Sequence, residues 1–210
     1  MNLEMTIKRR VLWDESIFES KLPEIDNQDI LNYYQHLKSN DSGIKRSNVG
    51  GWQKEVNFGD CPGLDDMFEK ITHAVNHIFT DVFKMDENLM MANAWLNSNN
   101  MGHSNSLHTH PGCLFSGVYY VTGQGEPQCG NINFCRDLSH TVENTLTISE
   151  KTRQYAAEAG REKLWNTSQS LPAKESYAYL FAPWLVHEVS ANFTNIDRVV
   201  VGINFIPSAP

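Results

Sequence analysis

Four residues have types and spacings suited to metal chemistry. His108 and His110 stand one residue apart at the head of LHTHPGCLFSGVYYVTG (107–123), His187 lies in FAPWLVHEV, and Arg198 follows it by eleven positions (198 − 187). On a strand, residues i and i+2 point to the same face, so the H-x-H pair presents two imidazoles to one side with Thr109 on the other. A third imidazole brought against them completes a facial set of three ligands and leaves positions open for substrate and oxygen. The plainer reading is that strand histidines hydrogen-bond to each other and that a lone His near a C-terminal strand sits satisfied at the surface. The joint pattern of pair, distal His and following Arg favours the metal site.

Most of these residues fall in β-rich sequence. After Lys84 the chain breaks into short apolar or alternating runs separated by Asn, Gly and Pro clusters: LMMANAWLN, LHTH, CLFSGVYYV, GNINFCR, SYAYLFAP, HEVSANF and DRVVVGINFI. Seven short strands after a helical preface imply an antiparallel sandwich or closed β-structure with helices packed on one face, the class that includes jelly rolls. In the preface, Asp26 or Asn27 can cap a helix whose apolar face is Ile30, Leu31, Tyr34 and Leu37. SNVGGWQKEVNF reads as a loop entering an edge strand. Leu64, Met67, Phe68, Ile71, Val75, Ile78, Phe79 and Val82 recur at three and four residues, an amphipathic helix. His73 and His77 lie on it four apart, beside the apolar stripe and without the Glu of an HExxH site, so they are expected to be solvated.

A single domain is expected over 1–210, with 1–85 as helical and edge-strand support and 86–210 as the jelly-roll core. The polar stretch 138–174 reads as an inserted lid. Lys+Arg 17 against Asp+Glu 25 gives a net charge of −8 with no basic stripe, which argues against nucleic acid and anionic membranes as partners. No apolar run reaches the roughly 18 to 20 residues of a membrane span, and MNLEMTIKRRVLWDESIF lacks a signal-peptide core. A soluble, cytoplasmic protein is the expectation, and the Trp and Tyr residues of the N-terminal segment could serve a homodimer or as easily pack on the barrel. Cys61, Cys113, Cys129 and Cys135 form no CxxC and are expected to be reduced and packed.

Taken together, SNVGGWQ (47–53), HTHPGCLFSGVYYV (108–121), NINFCRD (131–137), FAPWLVHEV (181–189) and DRVVVGINF (197–205) resemble the 2-oxoglutarate/Fe(II)-dependent oxygenases. The resemblance spans most of the chain and implies a double-stranded β-helix, a cupin-like jelly roll. It implies that His108, His110 and His187 bind Fe(II), that Arg198 holds the distal carboxylate of 2-oxoglutarate, and that Tyr120 assists it. The reaction implied is hydroxylase-type oxidation of an unknown substrate coupled to decarboxylation of 2-oxoglutarate to succinate. A carboxylate is the usual second ligand, and His110 stands in its place. Three neutral imidazoles leave the metal's full charge for exogenous anions to balance. By alternation Ser116, Val118 and Tyr120 share one strand face and Tyr119 takes the other. Asn93 and Trp95, on the strand before the histidines, could face the pocket or equally be turn and core residues.

Two alternatives stand beside this one. GHSNSLHTH fits the glycine, five residues and H-x-H that open the first cupin motif, without the Glu expected shortly after it. A three-histidine cupin-type metalloenzyme or small-ligand binding protein not using 2-oxoglutarate is therefore the second reading. A non-catalytic jelly roll is the third, ranked last because the ligand set and the arginine are intact.

Overall fold

The computed structural model describes residues 15–22, 24–136, 149–159 and 168–208. In chain order the elements are β1 (Ile17–Lys21), α1 (Asn27–Asn40), β2 (Asn48–Val49), β3 (Trp52–Val56), α2 (Pro62–His77) continuing into a π-helical turn at Ile78–Val82, and β4 (Leu89–Asn99). There follow β5 (Ser104–His108), β6 (Phe115–Tyr120), β7 (Ile132–Cys135), α3 (Glu150–Glu158), β8 (Ser168–Leu171), β9 (Tyr177–Phe181), β10 (His187–Val189) and β11 (Arg198–Pro207). The strands form a six-stranded sheet in the order β1-β9-β6-β11-β4-β3 and a five-stranded sheet in the order β2-β5-β10-β7-β8. This is the double-stranded β-helix.

Alternation along β11 shows how one strand serves two layers. Val199, Val201 and Ile203 pack outward into the cluster that holds Ile30 and Tyr34 of α1 and Leu64, Met67, Phe68, Ile71 and Val75 of α2. Arg198, Val200, Gly202 and Asn204 share the opposite face, toward the second sheet. Each large apolar side chain buried under the helices contributes roughly 1.5 to 3 kcal/mol, so the helix layer fixes the large sheet against which the site is built. β6 alternates in the same way. Tyr119 reaches outward to donate to Asn27 Oδ1 at 2.8 Å, while Tyr120 packs between the sheets with Ile132, Phe134 and Phe181.

The helices begin and end for local reasons. The Asp26 carboxylate caps α1 by accepting from the Asp29 N–H at 3.0 Å, and Pro62 opens α2 where no intrahelical donor is needed. Beyond α2, the Asn76 side chain donates to the Leu89 carbonyl at 3.1 Å and accepts from the Leu89 N–H at 2.7 Å, which pins the helix to the start of β4. His77 pairs with the exposed Asp81 at the surface. Among the described residues His73 and His77 join no metal-capable cluster.

Two strands bear on the expected division of the chain. β1 pairs with β9 and closes one edge of the large sheet, so the N-terminal part supplies both of that sheet's edge strands, β1 and β3. β8 pairs with β7, which makes the last residues of the expected 138–174 insert an edge strand of the smaller sheet. Of that insert, 138–148 and 160–167 lie outside the described residues. No described helix is long and apolar enough to cross a membrane.

Candidate metal centre

β5 and β10 are neighbours in the smaller sheet, and their pairing sets His187 opposite His108. His110 lies two residues past the end of β5, held by its own N–H donating to the Pro183 carbonyl at 2.9 Å. That bond, rather than strand pleating alone, turns it toward the other two. The ring centroids are 4.3 Å apart for His108 and His187, 5.0 Å for His110 and His187, and 5.2 Å for His108 and His110. One ligand atom from each of the three lies within 4.8 Å of the others.

Each ring is oriented by its Nδ1. His108 Nδ1 lies 2.8 Å from the Ser106 carbonyl, His187 Nδ1 lies 2.8 Å from the Leu185 carbonyl, and His110 Nδ1 lies 2.8 Å from Asn204 Oδ1. Carbonyl oxygens only accept, so each Nδ1 carries the proton and each Nε2 keeps a lone pair. Burial holds all three rings neutral. Burial above all, with the neighbouring imidazoles adding to it, pushes His187 down to about 3 and His110 down to about 4, and burial lowers His108 as well. Three neutral nitrogen donors with backed Nδ1–H groups suit a divalent borderline metal such as Fe(II). The residues fit that ion.

The histidines open onto a cavity of ≈ 630 Å³ between the sheets. Asn93 and Trp95 of β4 line it, as does Phe181 of β9, and the Trp95 ring lies 5.5 Å from that of His110. Gln53 and Glu55 of β3 and Asn97 of β4 extend the lining on the polar side.

Arg198 and Tyr120 lie on the faces of β11 and β6 that turn between the sheets, next in line to the lining residues Val200 and Val118. Arg198 is 3 % exposed. Its Nη1 donates to the carbonyls of Cys129 and Gly130 at 2.9 Å and of Ser190 at 3.0 Å. Asn99, turned so that its nitrogen donates to the Ser98 carbonyl, accepts from Nη2. A Cβ at Gly130, where φ is +81°, would stand 2.1 Å from Nη1, so only glycine admits the guanidinium there. Every one of these acceptors is neutral, and among the described residues no carboxylate pairs with Arg198. Burial lowers the Arg198 pKa, and Tyr120 and Cys129 counter that fall. Tyr120 is buried, its pKa pushed up to about 12 by desolvation, with Tyr179 edge-on at 5.7 Å.

Asn204 and Asn97 were not anticipated at the site, and Ser116 was placed only on the strand face of Tyr120. Asn204 could have been found, since it shares a face with Arg198 at even spacing on β11. The four cysteines are free thiols.

A metal-capable histidine triad inside a double-stranded β-helix defines the class of jelly-roll metalloproteins. Within that class, residues 93–204 match the family described as "Putative 2OG-Fe(II) oxygenase", and the chain belongs to this family. Fe(II) and 2-oxoglutarate are its cofactor and cosubstrate. Solved structures share the fold at low identity. A Pseudomonas putida prolyl-4-hydroxylase is 11% identical, with 93% of this chain and 94% of that chain covered and a TM-score of 0.64. HygX from Streptomyces hygroscopicus, solved with nickel and 2-oxoglutarate, is 10% identical over 92% and 84%, with a TM-score of 0.61. A viral collagen prolyl hydroxylase from Paramecium Bursaria Chlorella virus-1, in its 2-oxoglutarate complex, is 10% identical over 92% and 96%, with a TM-score of 0.58. No match was found among curated proteins.

Proposed function

We propose that the chain is a dioxygenase that couples decarboxylation of 2-oxoglutarate to succinate with hydroxylase-type oxidation of a second substrate. His108, His110 and His187 are the metal ligands in this reading. Arg198 takes the distal carboxylate of 2-oxoglutarate, and Tyr120 donates a hydrogen bond to the same group. When bound, the metal and the keto acid supply the oxidising chemistry, while the chain binds, orients and shields.

The observation that carries the proposal is a buried cation beside the pocket: the Arg198 guanidinium, next in line to the cavity-lining Val200, lies among neutral carbonyls with no carboxylate among its described partners. Fe(II) held by the three neutral imidazoles would add two further positive charges, and Glu55 in the lining is exposed. A buried charge left unpaired is costly, and a small dicarboxylate offsets two of the three at both ends of one molecule. The planar guanidinium fork matches the carboxylate geometry. For the second substrate, Trp95 offers an aromatic wall beside His110, and Gln53, Glu55 and Asn97 offer polar groups, so a molecule with both apolar and polar surface is expected.

Anaerobic reconstitution with Fe(II), followed by titration with 2-oxoglutarate, tests the reading. A charge-transfer absorption band that saturates with 2-oxoglutarate is expected, and admission of oxygen should yield succinate. Iron-loaded protein whose spectrum ignores 2-oxoglutarate would return the chain to the three-histidine cupin reading.

A further inference from the structure

The three histidines are backed in two different ways. His108 and His187 each turn Nδ1 to a main-chain carbonyl two residues earlier, Ser106 and Leu185, at 2.8 Å. That support is built into the backbone. His110 is backed by a side chain on another strand, Asn204 of β11.

Asn204 is itself held at both ends. Its Cα pairs with that of Asn93 on β4 and that of Ser116 on β6, so the three residues form one row across the centre of the large sheet. Asn204 Nδ2 donates to Asn93 Oδ1 at 3.0 Å, and Oδ1 accepts from Ser116 Oγ at 2.8 Å as well as from His110 Nδ1. With the nitrogen committed to Asn93, the oxygen is the end that faces the imidazole. An acceptor there admits one arrangement of the ring, with the proton on Nδ1 and the lone pair on Nε2. The row is anchored further by Cys113 Sγ, 3.3 Å from Ser116 Oγ.

The geometry points to Asn204 as the positioning residue for His110: it fixes the tautomer and angle of the one imidazole that no backbone carbonyl backs. We infer that Asn204, oriented by Asn93, is the lever by which the large sheet sets the geometry of a centre whose other two ligands lie on the small sheet. This inference rests on the proposed metal site for its consequence, since metal affinity is what the tautomer controls. Partners that orient a ligating histidine typically account for tenfold to a hundredfold in metal affinity.

The test uses full-length protein and two readouts. Nitrogen-15 NMR of the metal-free protein reports the His110 tautomer directly: a single Nδ1–H form is expected in the wild type and in Asn204→Asp, which keeps an acceptor, and a mixture in Asn204→Leu, which has none. Titration with Co(II), followed by its visible absorption, should show Asn204→Leu weaker by about tenfold to a hundredfold and Asn204→Asp restored to at least wild-type affinity. Ser116→Ala removes a hydrogen bond to the same oxygen without touching the ring, and should leave the tautomer in place. A purely structural role would lower the melting temperature of Asn204→Leu and leave both readouts as in the wild type, which would overturn the inference. Wild-type protein that binds no Co(II) would count against the metal site, and the tautomer would still decide the role of Asn204.

Discussion

Gly202 of β11 lies directly beneath the indole of Trp95 on β4: a Cβ at Gly202 would stand 2.4 Å from Trp95 Cε2 and 2.5 Å from Cζ2. The two are cross-strand partners in register, and the missing side chain lets the indole lie across the strand beside His110. Gly202→Ala must move the indole, because the contact is with ring atoms and not with the free end of a flexible chain. Overpacking of this kind typically costs about 1 to 3 kcal/mol. The displaced ring enters the cavity, so weaker binding of the second substrate or of 2-oxoglutarate is expected alongside lower stability in urea. A variant with wild-type stability and ligand affinity would show that the indole has room to yield.

The neutral histidines give the metal-free protein a pH dependence of stability. In the unfolded chain each ring titrates near 6.5, whereas in the folded chain burial pushes His110 to about 4 and His187 to about 3. Above about pH 6.5 both states are deprotonated and the contribution is complete. As the pH falls below that value, the unfolded state takes up protons that the folded state refuses, so stability drops until the pH passes the folded values. The slope is at most about 1.4 kcal/mol per pH unit for each ring. Urea unfolding of metal-free protein between pH 7 and the acid limit, compared with His187→Gln, should show the shallower slope in the variant. Identical slopes would place the acid sensitivity elsewhere.

The sequence was most legible where burial and alternation coincide. β4, β6, β9 and β11 carry apolar residues on at least one face, and their runs stand out without knowledge of partners. β1 and β8 do not stand out. IFESK and SQSL are short and polar, and become strands because β9 and β7 offer backbone pairing from far along the chain. The same contrast holds at the site. His108, His110 and His187 could be chosen from type and spacing, but the support of His110 by Asn204 depends on the register of β4, β11 and β6, and the carbonyl cradle of Arg198 depends on the backbone at Cys129, Gly130 and Ser190. Even spacing on β11 marks Asn204 and a glycine marks position 130, but neither says which ring or which side chain it serves.

The proposed metal ligands share one expected loss. Replacing His108, His110 or His187 with Ala removes one of three donors whose atoms lie within 4.8 Å of one another. Iron content after anaerobic loading and desalting should fall sharply in all three variants. Far-ultraviolet circular dichroism should remain that of the wild type, since the helices and large sheet are built without these rings. Unchanged iron stoichiometry across the set would rule out the triad as the metal site.

Arg198 separates a keto-acid enzyme from a protein that merely holds metal, and its structural role has to be separated too. Truncating one partner of a desolvated charge pair typically costs about 2 to 5 kcal/mol, so Arg198→Ala should weaken 2-oxoglutarate by roughly thirtyfold to several thousandfold while Fe(II) binding stays close to wild type. The same change strips donors from the carbonyls of Cys129, Gly130 and Ser190, and each buried acceptor left unpaired costs about 1 to 3 kcal/mol of stability. Arg198→Lys retains a cation without the bidentate fork, so it should fold better than Arg198→Ala and bind 2-oxoglutarate with an intermediate affinity. If Tyr120 donates to the same carboxylate as proposed, Tyr120→Phe removes one hydrogen bond to a charged group, worth roughly 1.5 to 3 kcal/mol, and should cause a smaller loss of the same kind. The charge-transfer band titrated with 2-oxoglutarate measures all three variants on one scale. If Arg198→Lys and Tyr120→Phe both bind iron and 2-oxoglutarate as the wild type does, the buried cation is a structural clasp for the carbonyls around it and the distal carboxylate is held elsewhere.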